Sequence, residues 1–527
     1  EQKEKEEEED DDEEDEDDDD VAVTEEELQA ALEEKKALQQ HLRIFLYFLP
    51  RKTYICKKVL VEKYEINIPQ DVVVRELPID LLPADYDVLT LQLPYCFKEI
   101  YLEGDLTTLS FVARSIMKLQ TIFGPIPNVR AKGDHSVRVA NMLQRMQRKV
   151  GKVNENIPSS IHTLMVVDRS VDFLSPFLTQ RTYEGLLDEL YGIRNGFVRL
   201  GNAKAPPIRV SSQDSIYKDI RDVNIRHLGP ILKQRTSALS RALDEKNRIN
   251  NYSPKQLTEF TRRLPQIIKE KRNIEIHINI VSLINKLCGS RNFTEGLEME
   301  KYIMTSSNLR DVYEYIERLI YLQEPITKVL RYIILLSQTQ HGIYVKKYHS
   351  FRKEIVETYG LHHMITMNHL EAMNLIVLKN KPENDTTQFV HQEVHDVSFK
   401  HLKNRFDLLD IRDPEDEDQL EVYDPHQTYE AYAPLSTQMI TKLADSQWDQ
   451  DVLNQFSGSS LYYKQNAKMS TDTKVCLVYF VGGCTFAEIS ALRYHNFNRK
   501  PDQYHFVVAT TNIINGDSLL DNCIEEY

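Results

Sequence analysis

Two aspartates, Asp168 and Asp172, form the strongest candidate for chemistry in this chain. Asp168 ends a short apolar run, 164–167, and both lie in the stretch DRSVDFLSPFLTQRTYEGLLDEL (168–190). Catalytic groups of α/β proteins lie at such carboxyl ends of strands. Paired carboxylates can bind a divalent metal or act as general acid and base. An α/β hydrolase or a nucleotide-dependent enzyme that uses these two residues is therefore one hypothesis.

The residues around this pair favour a structural role over catalysis. Arg169 beside Asp168 predicts an ion pair, and Pro176 with a turn at Gly185 predicts a strand-to-helix crossing. The sequence contains no GxxxxGK[ST], no GxGxxG after a strand and no GxSxG. The turn GGCTFAE (482–488) opens a helix, but it lacks the lysine of a phosphate-binding loop. We therefore expect a tight turn there and no catalytic residues.

Potential metal ligands are sparse. HQEVH (391–395) has the zincin spacing of two histidines, but its glutamate is displaced by one position and the segment is charged. His362 and His363 form a weaker pair at an expected helix end. The six cysteines, at positions 56, 96, 288, 476, 484 and 523, include no CxxC pair. The sequence thus predicts no metal, no cofactor, and reduced thiols in a cytoplasmic protein.

Charge is concentrated at one end of the chain. Residues 1–20 hold 17 acidic side chains and 2 lysines, which leaves 64 acidic and 63 basic residues elsewhere. A nearly neutral body argues against a nucleic-acid binder, which needs clustered positive charge. We expect residues 1–20 to be disordered and residues 25–40 to form a short helix. A chaperone that binds basic proteins through the acidic run is a further alternative.

Strands that alternate with helices predict a parallel, doubly wound sheet. Strands are expected in LRIFLYFLP (42–50, a buried type), DVLTLQLP (87–94), IHTLMVVD (161–168), KVCLVYFVGG (474–483) and YHFVVATT (504–511). Helical patterns occur in 53–64, in 105–124 and throughout 214–380. The economical interpretation is a helical domain inserted into an α/β domain whose last strands come from the C-terminus. The most apolar stretch, 475–481, is too short to cross a bilayer, so membrane contact is expected only through partners.

Several motifs resemble, in order, the Sec/Munc (SM) family of vesicle-fusion regulators. DRSVDFLSPFLTQRTYEGLLDELYGI (168–193) is similar to the start of the family's second domain. Further matching blocks are EIYLEGDLTTL (99–109), IYKDIRDVNI (216–225), AYAPLST (431–437) and VYFVGGCTFAEISALRY (478–494). The structural signature comprises Asp168, Arg169, Asp172, Pro176, Thr182, Tyr183, Glu184, Gly185, Gly482 and Gly483. LPADYDVLTLQLP (82–94) makes the chain more similar to the B-type paralogue of the family's vacuolar protein-sorting branch.

The resemblance, which covers 42–527, implies α/β plus all-α architecture. SM proteins form an arch of three domains, two parallel-sheet α/β domains and a large inserted helical domain. The implied divisions are an acidic disordered run with a short helix (1–40), domain 1 without its opening part (41–155), domain 2 (156–213 and 465–527) and the helical domain (214–464) with a charged, proline-punctuated surface excursion (379–428).

The resemblance also implies function and partners. Such a protein is not an enzyme; it binds SNARE helices, templates their assembly during membrane fusion, and joins a partner subunit in class C tethering complexes such as HOPS and CORVET. It would be cytoplasmic and peripheral on late endosomes, lysosomes or vacuoles, where it supports vesicle-mediated protein transport.

Candidate contact residues follow from the same blocks. In KQLTEFTRRLPQIIKEKR (255–272), the cations Arg262, Arg263, Lys269 and Lys271 are expected to contact acidic SNARE helices. The triplet Ile220, Arg221 and Asp222 is either packed or a direct SNARE contact. An exposed helix start comprising Tyr432, Ala433, Pro434 and Leu435 is expected to contact the partner subunit.

Overall fold

The structure is a computed structural model. It describes residues 44–49, 52–63, 72–150, 157–201, 206–244, 254–379, 399–410, 423–429, 432–445, 448–465, 467–470, 473–498, 500 and 503–524. The acidic run, the helix expected over 25–40 and HQEVH (391–395) lie outside the described residues. The described residues up to 80 and those from 81 onwards belong to two compact units.

The strands confirm every run that the sequence predicted and add others. They are β1 (Ile44–Phe48), β2 (Val72–Glu76), β3 (Leu82–Asp85), β4 (Val88–Thr90), β5 (Asn128–Lys132), β6 (Thr163–Asp168), β7 (Phe197–Val198), β8 (Ile208–Arg209), β9 (Ile343–Tyr344), β10 (Leu378–Lys379), β11 (Ser460–Lys464), β12 (Val475–Val481) and β13 (His505–Thr510). In the first unit, β1 pairs in parallel with β2. The expectation that β1 is of a buried type is wrong, because Phe45 and Tyr47 are 56% and 51% exposed.

The helices confirm the long helical patterns between 214 and 380. The described helices are α1 (Tyr54–Glu62), α2 (Cys96–Lys98), α3 (Thr107–Phe123), α4 (Asp134–Val150), α5 (Tyr183–Tyr191), α6 (Ser215–Ile220), α7 (Leu228–Asp244), α8 (Pro254–Cys288), α9 (Arg291–Thr305), α10 (Leu309–Tyr321), α11 (Ile326–Thr339), α12 (Val345–Tyr359), α13 (His363–Ala372), α14 (Phe399–Arg405), α15 (Leu435–Asp445), α16 (Gln450–Leu453), α17 (Phe486–Asn498) and α18 (Gly516–Asp521). In the part of the chain that these helices cover, no stretch is both long and apolar enough to cross a bilayer.

The second unit is built on a seven-stranded sheet with the order β11-β5-β6-β12-β13-β4-β3. The five inner strands run parallel, and β11 and β3 are antiparallel edges. Side chains of β6 alternate between two hydrophobic cores. Met165 and Val167 enter the larger one, the main core, and Leu164 and Val166 enter the second core on the other face of the sheet. Both faces are therefore covered, as is usual for a parallel sheet.

The sheet differs from the predicted domain divisions. Strands β4 and β5 come from the segment assigned to domain 1, and β11 comes from the segment assigned to the helical domain, yet all pair within the sheet of domain 2. The main reason is pairing between distant segments, of β4 with β13 and of β11 with β5; in addition, β5 pairs with β6 across the predicted boundary at 155–156. The inserted position of the helical segment is confirmed, because β6 precedes it and β12 and β13 follow it.

The predicted excursion at 379–428 is only partly described. Its described part includes α14, and the side chains of Phe399, Phe406 and Leu408 are buried in the main core. This part of the segment is therefore packed onto the fold and is not a surface loop.

A third hydrophobic core lies at the base of α8. It combines Tyr183 and Leu186 of α5 with Tyr217 of α6 and Ile280 and Ile284 of α8. The long helix is thus attached to the α/β part through α5 and α6.

Candidate functional site

Asp168 caps a helix and is not a catalytic group. Its carboxylate is buried and accepts the backbone N–H groups of His135 and Ser136 at 2.9 and 2.7 Å, in the first turn of α4. Such N–H groups have no partner within the helix, so a carboxylate there is stabilising. Burial raises the pKa of Asp168 to about 7. Gly133 permits this approach, since a Cβ at that position would lie 2.3 Å from the carboxylate.

Arg169 forms an ion pair, but the predicted partner is wrong. Its guanidinium binds Glu488 through two hydrogen bonds of 2.8 Å and lies 3.7 Å from Asp172, whereas Asp168 is directed to α4. Asp172 accepts the backbone N–H of Ser436 at 3.0 Å. Arg169, Asp172 and Glu488 are all buried, so these contacts join the segment after β6 to the starts of α15 and α17. The two aspartates hold the fold together.

A second buried ion cluster surrounds Arg493. Its guanidinium donates to both oxygens of Asp87 at 2.8 and 3.0 Å, to Glu184 at 3.1 Å and to Asp222 at 2.9 Å. Burial raises the pKa of Glu184, and the neighbouring Arg493 only partly opposes this effect. For Asp87, burial alone would raise the pKa, but the charge of Arg493 lowers it overall.

The triplet Ile220, Arg221 and Asp222 belongs to this cluster and is buried. Arg221 pairs with Asp85 and also contacts Asp222 at 3.3 Å. The alternative of packing is therefore the observed one, and these residues present no surface to a partner in this conformation. Blocks that lie far apart in the sequence meet here as parts of one core.

The remaining signature residues also build turns and contacts within the fold. Thr182 caps α5 by accepting the N–H of Gly185 at 3.2 Å, and the hydroxyl of Tyr183 lies 2.8 Å from His277. Gly482 and Gly483 have φ of 96° and 110°, which favours glycine. The prediction of a tight turn before α17 is confirmed.

The expected partner-subunit contact at residues 432–435 is not exposed. Tyr432, Ala433, Pro434 and Leu435 are all buried, with Tyr432 only 2% exposed. The hydroxyl oxygen of Tyr432 accepts the backbone N–H of Leu435 at 3.2 Å. The expectation of an exposed helix start is wrong because this segment packs into the main core.

The cations predicted on α8 are exposed, and their contact with a SNARE helix stays a prediction. Arg262, Arg263, Lys269 and Lys271 all reach solvent. They do not form one row: Arg263 lines a groove, and Lys271 lies 3.8 Å from Glu275 on its own helix. The groove, of about 440 Å³, runs between α6, α7 and α8. Its lining residues are Ser215, Ile216, Lys218, Asp219, Arg235, Ala238, Leu239, Ala242, Arg263, Ile267 and Glu270.

One group among the described residues has the composition of a metal site, namely Asp410, Asp424 and His426. Both ring nitrogens of His426 already face acceptors, the carboxylate of Asp424 at 2.7 Å and the carbonyl oxygen of Asp407 at 2.8 Å. A ring between two acceptors carries both protons and has no lone pair for a metal. The arrangement is that of an ion pair.

The architecture and these fold-defining clusters identify the class of the protein. The Sec1 family model matches residues 21–522, so the chain belongs to the Sec1 family. Members of this family are regulators, which agrees with the prediction that the chain is not an enzyme.

The similar relatives belong to the vacuolar protein-sorting branch of the family. A vacuolar protein-sorting-associated protein 33 homolog of Arabidopsis thaliana is 32% identical over 93% of this chain and 82% of that protein. Vacuolar protein sorting-associated protein 33A of Rattus norvegicus is 30% identical, over 91% of this chain and 81% of that protein. The corresponding 33B protein of Mus musculus is 27% identical, over 93% and 84%. Since both types match over similar shares, the B-type assignment stays a prediction.

Solved structures support the fold. The SM protein Vps45 in complex with the Qa SNARE Tlg2 has a TM-score of 0.59 at 18% identity, covering 93% of this chain and 84% of that chain. The Unc18–syntaxin 1 complex of Monosiga brevicollis has a TM-score of 0.59 at 14% identity, covering 95% and 86%. The prediction of α/β layers with a large helical part is confirmed.

Proposed function

We propose that this protein is a SNARE-binding regulator of membrane fusion in vesicle-mediated transport to late endosomes, lysosomes or vacuoles. Its similarity to proteins named for vacuolar protein sorting, over more than nine-tenths of the chain, carries this proposal. A structural neighbour that was solved with a bound Qa SNARE supports the choice of partner. The protein acts there as a peripheral, cytoplasmic subunit of a class C tethering complex.

The long helix α8 offers a suitable surface for a SNARE helix. Exposed apolar side chains, Ile268, Ile278, Leu283 and Leu287, lie along it together with the exposed cations Arg262 and Lys269. An amphipathic partner helix binds by placing its apolar face on such side chains, with charged contacts at the rim. This combination supports α8 as the template on which acidic SNARE helices assemble.

The rim contribution is tested by charge reversal. Arg262 and Lys269 are seven residues apart in sequence, which is two helical turns, so they lie on one side of α8. We expect Arg262→Glu with Lys269→Glu to weaken binding of a Qa SNARE core fragment by about tenfold, mainly through a slower association rate. Surface plasmon resonance with the full chain at two salt concentrations measures this effect.

The control is Lys353→Glu on α12, another exposed lysine, whose pair with Glu357 at 3.7 Å lies within its own helix. This control should change binding little. Equal weakening by the control would refute a specific role for the α8 cations. If the folded wild-type chain does not bind at tens of micromolar, the proposed function itself is refuted.

The tethering-complex role needs its own experiment. Co-purification of the chain from cells, followed by identification of its stable partners, should recover subunits of a class C complex. Stable partners of an unrelated kind would contradict this part of the proposal. Since Tyr432 is buried, its substitution is not a test of the partner surface.

A further inference from the structure

A histidine of the long helix is inserted between the two elements that support it. His277 of α8 is buried; its Nδ1 lies 2.8 Å from the hydroxyl of Tyr183 in α5, and its Nε2 lies 3.0 Å from the carboxylate of Asp214. Asp214 is also the N-cap of α6, where it accepts the N–H of Ile216 at 2.9 Å. One side chain of α8 thus contacts both α5 and α6.

The carboxylate of Asp214 determines which nitrogen of His277 donates a hydrogen bond to it. Burial alone would raise the pKa of Asp214, but the hydrogen bond from His277 helps to lower it overall, so the carboxylate is ionised and accepts. Nε2 of His277 therefore donates to this carboxylate, and Nδ1 shares a hydrogen bond with the hydroxyl of Tyr183. Each polar group then has a partner, as buried groups require. Asn273, one turn earlier in α8, also hydrogen bonds to Asp214.

The apolar neighbours of His277 define the position of α8 less strictly than the hydrogen bonds of His277 do. The buried residues around it on α8 are Ile274, Ile280, Val281 and Ile284. Hydrophobic burial is non-directional, so aliphatic packing tolerates small rotations and shifts of the helix. Hydrogen bonds weaken steeply when their angles are poor, so they restrict both the rotation and the shift of the helix. Among the described side chains of α8, His277 is the buried polar one.

We propose that Tyr183, His277 and Asp214 form a joint that sets the rotation and height of α8 on the α/β part. They are positioning residues for the SNARE-binding surface, a role that rests on the function proposed above. Because Tyr183 belongs to the TYEG signature, the joint gives this motif a specific role, which is to anchor the helix that carries the binding surface.

Hydrogen–deuterium exchange in the full chain tests the joint. We expect His277→Leu to speed exchange in residues 261–288 of α8 by about tenfold or more, because leucine removes both buried hydrogen bonds of the ring. Exchange in α11 should not change. Tyr183→Phe removes only the hydroxyl and should have a similar but smaller effect. In His277→Gln, the amide can donate to Asp214 and accept from Tyr183, so slow exchange should be partly restored.

Tyr479→Phe is the matched control. It also removes a buried hydroxyl, which lies 3.2 Å from that of Ser115 on α3, but Tyr479 belongs to a different hydrophobic core from the one that holds α8. Even where Tyr479→Phe lowers the melting temperature as much as Tyr183→Phe does, it should leave exchange in α8 unchanged. Unchanged α8 exchange in Tyr183→Phe and His277→Leu, or equal acceleration in Tyr479→Phe, would overturn the joint. Tyr183→Phe decides the matter if His277→Leu does not fold.

Affinity for a Qa SNARE core fragment provides the second readout. We expect His277→Leu to weaken binding about tenfold, and His277→Gln to bind more tightly than His277→Leu. If wild type binds and His277→Leu loosens α8 without changing affinity, the positioning role is overturned. If wild type does not bind, the proposed function fails, whereas the exchange comparison still decides whether the joint exists.

Discussion

Removal of the Arg493 side chain, on α17, should be among the most destabilising single changes in the fold. Arg493→Met deletes the hydrogen bonds to Asp87, Glu184 and Asp222, and it leaves these carboxylates buried beside Arg221 alone. Removing one partner of a buried ion pair costs about 3–5 kcal/mol, because the remaining charge is not compensated. We expect a loss of stability in this range at pH 7.

The pH dependence gives the stronger test. The pKa of Asp87 is lowered in the wild type, so its stabilising contribution is lost as pH falls through that lowered value. Without Arg493, burial raises the pKa of Asp87, and the folded state then takes up more protons than the unfolded state. Stability of Arg493→Met should therefore rise as pH falls from 7 towards about 5, opposite to the contribution of Asp87 in the wild type.

Urea unfolding can be followed through the single tryptophan. Trp448 packs on Arg130 of β5, 5.7 Å from the guanidinium carbon to the ring centre, so its fluorescence reports on the sheet. Arg493→Met with Asp87→Asn should recover part of the loss, since both partners are then uncharged. Arg310→Met, at a position 88% exposed, is the control and should change little. A loss below about 1 kcal/mol, or a variant that loses stability on acidification, would refute the reasoning.

Two further predictions concern other contacts. Gly133→Ala should destabilise by about 1–3 kcal/mol, measured by the same fluorescence, because φ is 100° and the new Cβ would overlap the carboxylate of Asp168; an unchanged midpoint would contradict this. For His426, burial alone would lower the pKa, but the hydrogen bonds to Asp424 and the Asp407 carbonyl raise it overall. Exchange protection of 424–428 should therefore be full below about pH 6.5 and lost as pH rises through the raised value, whereas His426→Gln should show no such dependence.

The sequence predicted the local elements well, since they depend on local patterns. The apolar run before Asp168 is a fully buried strand, and the Gly482–Gly483 turn opens α17. Strand β5 was missed because Arg130 and Lys132 do not look like buried residues. Both are buried, and Lys132 donates to the carbonyl oxygens of Phe456 and Gly458 at 2.9 and 2.6 Å. Those partners lie more than 300 positions away, where no local pattern indicates them.

The ion clusters were missed for a related reason. Glu488 and Arg493 read as ordinary charged positions of a helix, but α17 is buried around most of its circumference. The sequence does not reveal whether a charged side chain contacts water or another charged side chain. Resemblance identified the residues as a family signature, whereas only coordinates show that the signature is made of buried pairs. For the same reason, Tyr432 was wrongly expected to lie at an exposed helix start: the sequence does not show that this segment packs into the core.

The strand order has a consequence for synthesis of the protein. Strands β12 and β13 lie between β6 and β4, so the central strands of the sheet are translated last. Roughly 300 residues separate β6 from β12, which is on the order of 15–60 s of translation at about 5–20 residues per second. Throughout that interval β6 and β4 each present an open edge, a template for wrong pairing. We therefore expect wrong pairing to be prevented only if these edges stay covered until the last strand, which ends at Thr510, has emerged.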